Sequence, residues 1–269
     1  MIPAQFEYVA ADSAAHAIDL LGQHGDDAKV LAGGHSLLPM MKLRLAAPAV
    51  LIDIARTAGL SGISLDGGEI VLGATTRHAD LASSELVRTE APLLAHAASL
   101  VGDPQIRHRG TIGGSLAHAD PAADLPMALL VLGGSVEISG PGGTRSVAAD
   151  DFFTGFFETA IADGELLTAV RVPRQTGAPW GYQKFVRRAN DWAIVGAAAI
   201  DGRIALANMG STPLRAGVAE QALAGGASPA EAAELAAEGT TPGEDIHADR
   251  DFRCHLARVL TRRALEHLS

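Results

Sequence analysis

Apolar and polar positions alternate along this chain with two periods, and the changes between them mark the elements. Residues 6–9 read as a first strand. Asp12 or Ser13 then caps a helix in which Ala14, Ala17, Ile18 and Leu21 recur at helical spacing, and Gly25 ends it. Residues 29–31 form a strand, 37–43 a short helix and 50–54 another strand entered past Pro48, completing a small parallel αβ layer. Its first glycine loop lies at a strand's carboxyl end, where open α/β sheets place ligands.

Beyond Gly59 the period changes. Residues 63–65 and 70–72 flank Asp66-Gly67-Gly68-Glu69, a hairpin whose Asp-Gly turn tolerates positive φ. Helices are predicted near 76–81 and 91–101, the second stopped before Pro104, and a buried helix over 124–132. Residues 135–139 and 144–147 make a second hairpin around Pro141-Gly142-Gly143, and 165–172 a strand ended by Pro173. The Gly- and Pro-rich stretch 174–179 is the boundary. After it, 181–188, 193–200 and 204–209 read as an antiparallel meander, followed by helices over 213–223, 229–238 and 249–268. The Ala-rich run 230–237 reflects helix propensity. The predicted organisation is residues 1–176, with lobes of about 1–58 and 59–176, followed by a separate unit over 177–269.

Composition narrows the class. At 269 residues and 48% hydrophobic, the chain has material for two domains with a real core. A formal net charge of −10, with acidic residues scattered, argues against nucleic acid as a partner. The lone Cys254 excludes an internal disulfide framework, zinc cluster or iron-sulfur site and suits a reducing cytoplasm. No secretory signal opens the chain, and no apolar run is long enough to span a bilayer.

Two glycine loops carry the candidate chemistry. Ala32-Gly33-Gly34-His35-Ser36-Leu37 follows an apolar run and leads into a helix with Ser36 as its candidate N-cap. Thr111-Ile112-Gly113-Gly114-Ser115, in a stretch reaching Pro126, has the same grammar. In both, residues lacking Cβ let backbone N–H groups approach an anion, and small hydroxyls add donors. Two anionic groups, or one pyrophosphate gripped from both sides, would satisfy the pair. The nucleotide fingerprints Gly-x-Gly-x-x-Gly and Gly-x-x-x-x-Gly-Lys-Ser/Thr are absent, so a Rossmann domain and a P-loop NTPase are disfavoured. His35, His78, His96, His108 and His118, with Asp120 and Asp124, lack metal-ligand spacing. From the residues alone Asp124 is equally a helix-start carboxylate, Asp120 a loop cap, Lys184 a solvent-facing charge and Trp192 a packing residue.

These two loops, with Lys42-Leu43-Arg44, Gly102-Asp103-Pro104-Gln105-Ile106-Arg107, Asp120-Pro121-Ala122-Ala123-Asp124-Leu125-Pro126 and Lys184-Phe185-Val186-Arg187-Arg188-Ala189, resemble the flavin subunit of the molybdenum hydroxylases. The resemblance is to the medium subunit of the carbon monoxide dehydrogenase type, related to the FAD domain of xanthine dehydrogenase, and it covers essentially the whole chain. It implies an α+β fold: a two-lobed FAD-binding domain of the vanillyl-alcohol oxidase type, plus a C-terminal lobe with a three-stranded antiparallel sheet and a helical bundle.

It also implies that FAD is held by Ala32, Gly33, Gly34, His35, Ser36, Leu37, Thr111, Ile112, Gly113, Gly114, Ser115 and Asp124. Leu167 would make an apolar flavin contact, with Val101 and Gly102 as further contacts. Lys184 would be a cation beside the flavin, and Trp192 an aromatic over one flavin face where relatives often carry Tyr. The implied function is electron transfer. A molybdopterin-binding large subunit oxidises the organic substrate, an iron-sulfur small subunit passes the electrons, and FAD in this chain delivers them to NAD, a quinone or oxygen. The implied location is cytoplasmic, with peripheral attachment to the inner face of the membrane through the complex as an option. Two other classes stay open: a stand-alone FAD-dependent oxidoreductase with its own small substrate, and a noncatalytic assembly subunit.

Overall fold

The computed structural model describes residues 2–268. Strands β1 (Glu7–Ala10), β2 (Ala28–Leu31) and β3 (Val50–Asp53) form a parallel sheet in the order β1-β3-β2. Helix α1 (Ala14–His24) starts as its sequence predicts: the Ser13 side chain accepts from the His16 N–H at 3.1 Å, and Gly25, at φ 50°, closes it. Ala17 and Leu20 of α1 pack on Ile52 and Ile54 in the core of this lobe. After β2 the chain turns through the first glycine loop into α2 (Leu37–Lys42).

The second lobe is a five-stranded antiparallel sheet in the order β4-β5-β10-β6-β7, built from β4 (Ile63–Asp66), β5 (Glu69–Gly73), β6 (Ser135–Gly140), β7 (Gly143–Ala148) and, at its centre, β10 (Leu166–Pro173). The two predicted hairpins flank β10, whose register slips between Leu167 and Ala169. Pro173 is the last residue of β10 and does not lie beyond it. Helices α3 (His78–Ser83), α4 (Glu85–Glu90), α5 (Pro92–Ser99), α6 (Pro104–Arg107), α7 (Ile112–His118) and α8 (Asp124–Leu132) connect the hairpins. α5 ends at Ser99, before Gly102 turns to φ 49°, and Pro104 opens α6, capped by the Asp103 carboxylate on the Ile106 N–H at 3.0 Å. Every residue of α8 is buried, which explains its lack of an amphipathic pattern. The short α9 (Ala149–Phe152) and the hairpin of β8 (Phe153–Gly155) and β9 (Glu158–Thr159) are additions that the periodicity does not reveal.

The C-terminal sheet contains four strands rather than three: β11 (Trp180–Phe185), β12 (Val195–Ile200), β13 (Arg203–Ala207) and β14 (Leu214–Arg215). The extra strand lies where the sequence predicts the start of a helix. Arg215 pairs with Ala205 across the sheet, and the Ala216 N–H donates to Ile204 O at 2.9 Å, so α10 (Gly217–Ala224) starts only at Gly217. Helices α11 (Pro229–Glu234) and α12 (Arg250–Glu266) complete this part. β12 reads Val-Gly-Ala-Ala-Ala-Ile and is buried on both faces, between α8 and α12. No helix among the described residues is long and apolar enough to cross a membrane.

Candidate active site: a cavity between the two glycine loops

A cavity of about 690 Å³ runs from the carboxyl end of β2 to the carboxyl end of β11 and the loop that follows it. Small-molecule pockets span roughly 300 to 1,000 Å³. Its wall includes Ala32, Gly33, Gly34, His35, Ser36 and Leu37 from the first loop, and Thr111, Gly113, Gly114 and Ser115 from the second. Val101, Gly102, Asp124, Leu167, Lys184 and Trp192 line it as well. Ile112 does not. Its side chain is buried in the main hydrophobic core, because residue 112 opens α7 on the face turned away from the cavity.

The two loops touch. A Cβ on Gly33 would collide with Arg109 O and Gly110 Cα, so the first loop reaches the second only because position 33 is glycine. Gly34 is at φ 77°, where an L side chain is strained. Among the described residues, the backbone N–H groups of residues 33–37 donate to no protein acceptor. This is a run of free donors on a cavity wall, which is the chemistry of an anion cradle. Ser36 stands at the N-cap of α2, but its side chain makes no capping hydrogen bond.

The second loop departs from its expected role. The Ile112 N–H donates to Thr76 O at 3.0 Å, Gly113 to Ala74 O at 2.9 Å, Gly114 to Thr111 Oγ1 at 3.2 Å and Ser115 to Thr111 O at 3.0 Å. These donors are spent within the protein. The glycines serve packing instead: a Cβ on Gly113 would lie 2.7 Å from both Cβ and O of Ala74, and one on Gly114 would lie 2.7 Å from Thr111 Oγ1. Thr111 and Ser115 themselves remain among the residues of the cavity wall.

At the far end, Asp124 accepts from Tyr182 Oη at 2.6 Å and from Lys184 Nζ at 2.8 Å. The Lys184 and Asp124 side chains are 7% and 4% exposed, so the pair is out of water. Lys184 is therefore a paired cation and not a solvent-facing one, and its ammonium also reaches Leu100 O at 3.4 Å. Burial raises the Asp124 carboxyl above the ordinary carboxylate range, and the Lys184 ammonium opposes that rise. Burial, then the Asp124 charge, holds the Tyr182 hydroxyl well above its usual value. Leu167 sits on β10 at the register slip, where Thr168 O accepts from the Ala74 N–H at 3.0 Å. Trp192 is 54% exposed at the cavity rim beside Asn190 and Asp191, which is not the position of a core packing residue.

Val101 and Gly102 are pinned by Arg107, whose Nη1 donates to both of their carbonyls at 3.1 Å. Asp120 is a loop cap, as its place in the sequence suggests, accepting from the Ala122 N–H at 2.9 Å. His78, weighed in the sequence only among the histidines that lack metal-ligand spacing, is placed at the site by the structure. It is buried on the cavity wall, and burial, with the neighbouring His35 and Arg107, pushes it down to about 4. A histidine at the start of a helix carries no signal of this in the sequence. Thr159 and residues 161–164, which also line the cavity, carried no such signal either.

A deep cavity lined on one side by free backbone donors and on the other by a buried Asp–Lys pair defines a protein that holds an elongated anionic cofactor. Residues 4–175 match the model of the FAD binding domain in molybdopterin dehydrogenase, and residues 180–268 match the carbon monoxide dehydrogenase flavoprotein C-terminal domain. The chain belongs to this family of flavoprotein subunits; it is an oxidoreductase component whose cofactor is FAD. The carbon monoxide dehydrogenase medium chain of Hydrogenophaga pseudoflava is 44% identical over 98% of this chain and 97% of its own length. The 6-hydroxypseudooxynicotine dehydrogenase complex subunit alpha of Paenarthrobacter nicotinovorans is 39% identical over 98% and 95%. Among solved structures, a carbon monoxide dehydrogenase from H. pseudoflava lacking the Mo-pyranopterin moiety superposes with a TM-score of 0.96 at 45% identity, covering 100% of this chain and 98% of that one.

Proposed function

We propose that this chain is the electron-transfer station of a molybdenum hydroxylase complex. In this reading it takes electrons from the iron-sulfur clusters of a small subunit after a molybdopterin-binding large subunit has oxidised the organic substrate. It passes them through FAD to an external acceptor: NAD, a quinone or oxygen. The observation that supports this most directly is the run of unpartnered N–H groups at 33–37 facing a deep cavity, since a diphosphate would satisfy them. Bound FAD would supply the capacity to exchange electrons singly or in pairs.

The chain's own residues would divide the work. Residues 33–37 hold the diphosphate through backbone donors, with Thr111 and Ser115 adding hydroxyls. Asp124 holds Lys184 at the flavin end of the cavity, where a fixed ammonium favours electron-rich states of the ring. Leu167 and Val101 exclude water, and Trp192 covers the open rim. The unit that binds FAD would be 1–176, and 177–269 would contribute Lys184 and Trp192 to it. The lone Cys254 fits a reducing cytoplasm as the setting.

The test is a visible absorption spectrum of the protein purified from its host, with identification of the chains that co-purify. A flavin spectrum with molybdenum- and iron-sulfur-bearing chains is the expected result. Flavin without any partner would support the stand-alone oxidoreductase instead. Absence of flavin would overturn the assignment of the cavity.

A further inference from the structure

His78 sits at the first residue of α3, and its backbone N–H donates to Gly110 O at 3.0 Å. An isolated bridge between Arg77 and Thr111 fixes the same approach. A Cβ on Gly110 would lie 2.7 Å from His78 Nε2 and Cδ2, and Gly110 Cα in turn lies against Gly33. Imidazole, Gly110 and Gly33 thus form one stack joining the two glycine loops.

The polar atoms of this ring are not equivalent. Nδ1 is buried and has no partner among the described residues. A proton on Nδ1 would leave a buried N–H without an acceptor, whereas a bare lone pair there costs less. The proton of the neutral ring therefore belongs on Nε2, which makes no hydrogen bond among the described residues. Because the imidazole lines the cavity and its Nδ1 is sealed off, Nε2 is the polar atom left to meet a ligand.

We propose that His78 is a cofactor-binding residue that donates from Nε2 to the diphosphate of FAD at the point where the two glycine loops meet. The group it meets is anionic, because the free N–H groups of 33–37 line the same cavity and the Arg107 guanidinium is held nearby on Val101 O and Gly102 O. The inference rests on the FAD reading above, which its test keeps separate.

The test uses the holo-protein purified from its host, with FAD removed and titrated back. In His78→Gln the amide nitrogen reaches the place of Nε2, whereas in His78→Asn it falls near Nδ1. FAD affinity should drop about tenfold or more in His78→Asn and stay within about threefold of wild type in His78→Gln. ADP, which carries the diphosphate without the flavin, should lose affinity in parallel with FAD, and lumiflavin, which carries the ring alone, should lose none. Equal FAD affinity in wild type and His78→Asn would overturn the proposal and leave the FAD reading standing. Equal losses in both variants, or losses for lumiflavin as well, would reduce His78 to a packing residue. A wild-type protein that takes up no FAD would overturn both.

Discussion

The pairs Gly33-Gly34 and Gly113-Gly114 have the same grammar in the sequence, yet the first precedes its helix and the second lies in the first turn of α7, and their backbones do opposite work. In the first loop the backbone donors of 33–37 stay free. In the second, the donors of 112–115 are spent on Thr76, Ala74 and the Thr111 cap. In both pairs the missing Cβ lets protein approach protein, Gly33 against Arg109 and Gly110 and Gly113 against Ala74, and the difference lies in whether the backbone donors beside them are spent. Glycine pairs therefore report close approach, and only the surrounding hydrogen bonds say whether donors are left for a ligand.

That contrast breaks down in specific ways if it is wrong. The largest effect concerns His78, lodged where the loops meet. The unfolded chain takes up its proton near 6.5, the folded one only near 4. The unfolded state thus binds more protons between these values, and the folded state loses stability as pH falls through that window. The loss should approach about 3 kcal/mol by pH 4, and His78→Gln should abolish that part of the slope in denaturant titrations at stepped pH.

Next, Gly113→Ala should cost about 1–3 kcal/mol of stability, because its Cβ meets Ala74 at 2.7 Å on a backbone already bonded to it. The apo-protein should show this loss as fully as the holo-protein, since the clash is internal. A variant destabilised only when FAD is present would mean that the second loop, too, is a phosphate cradle.

Thr111→Ala should cost about 1 kcal/mol through loss of the cap on Gly114, and Thr111→Ser should restore most of it. The smallest effect sharpens the comparison most. Ser36→Ala, at the equivalent position of the first loop, should change apo stability by less than about 0.5 kcal/mol, because the Ser36 side chain caps nothing. If thermal unfolding ranks Ser36→Ala with Thr111→Ala, the two loops are structurally alike after all.

Much of this molecule was legible in its sequence. Ser13 and Gly25 bound α1, the Asp66-Gly67 turn makes its hairpin, and the uniformly apolar run at 124–132 becomes a helix buried on every side. These features depend on residues close in sequence, whose caps, turns and periodicities act locally. The resemblance of the motifs pointed to FAD, and all the candidate residues except Ile112 line one cavity. Positions that depend on distant partners were not legible. Leu214–Arg215 became an edge strand because Ala205 and Leu206 offered a free edge, a fact absent from local propensity.

By itself the sequence determined the local caps and hairpin turns, the presence of the glycine loops and the family. Only the tertiary structure decided which backbone donors remain free, that Lys184 is paired with Asp124 out of water, and that His78 is sealed at one nitrogen and open at the other. The physical reason is that hydrogen-bond satisfaction and desolvation are properties of what surrounds a group. At this site those surroundings come from segments as far apart as Asp124 and Lys184, or Gly33 and Gly110.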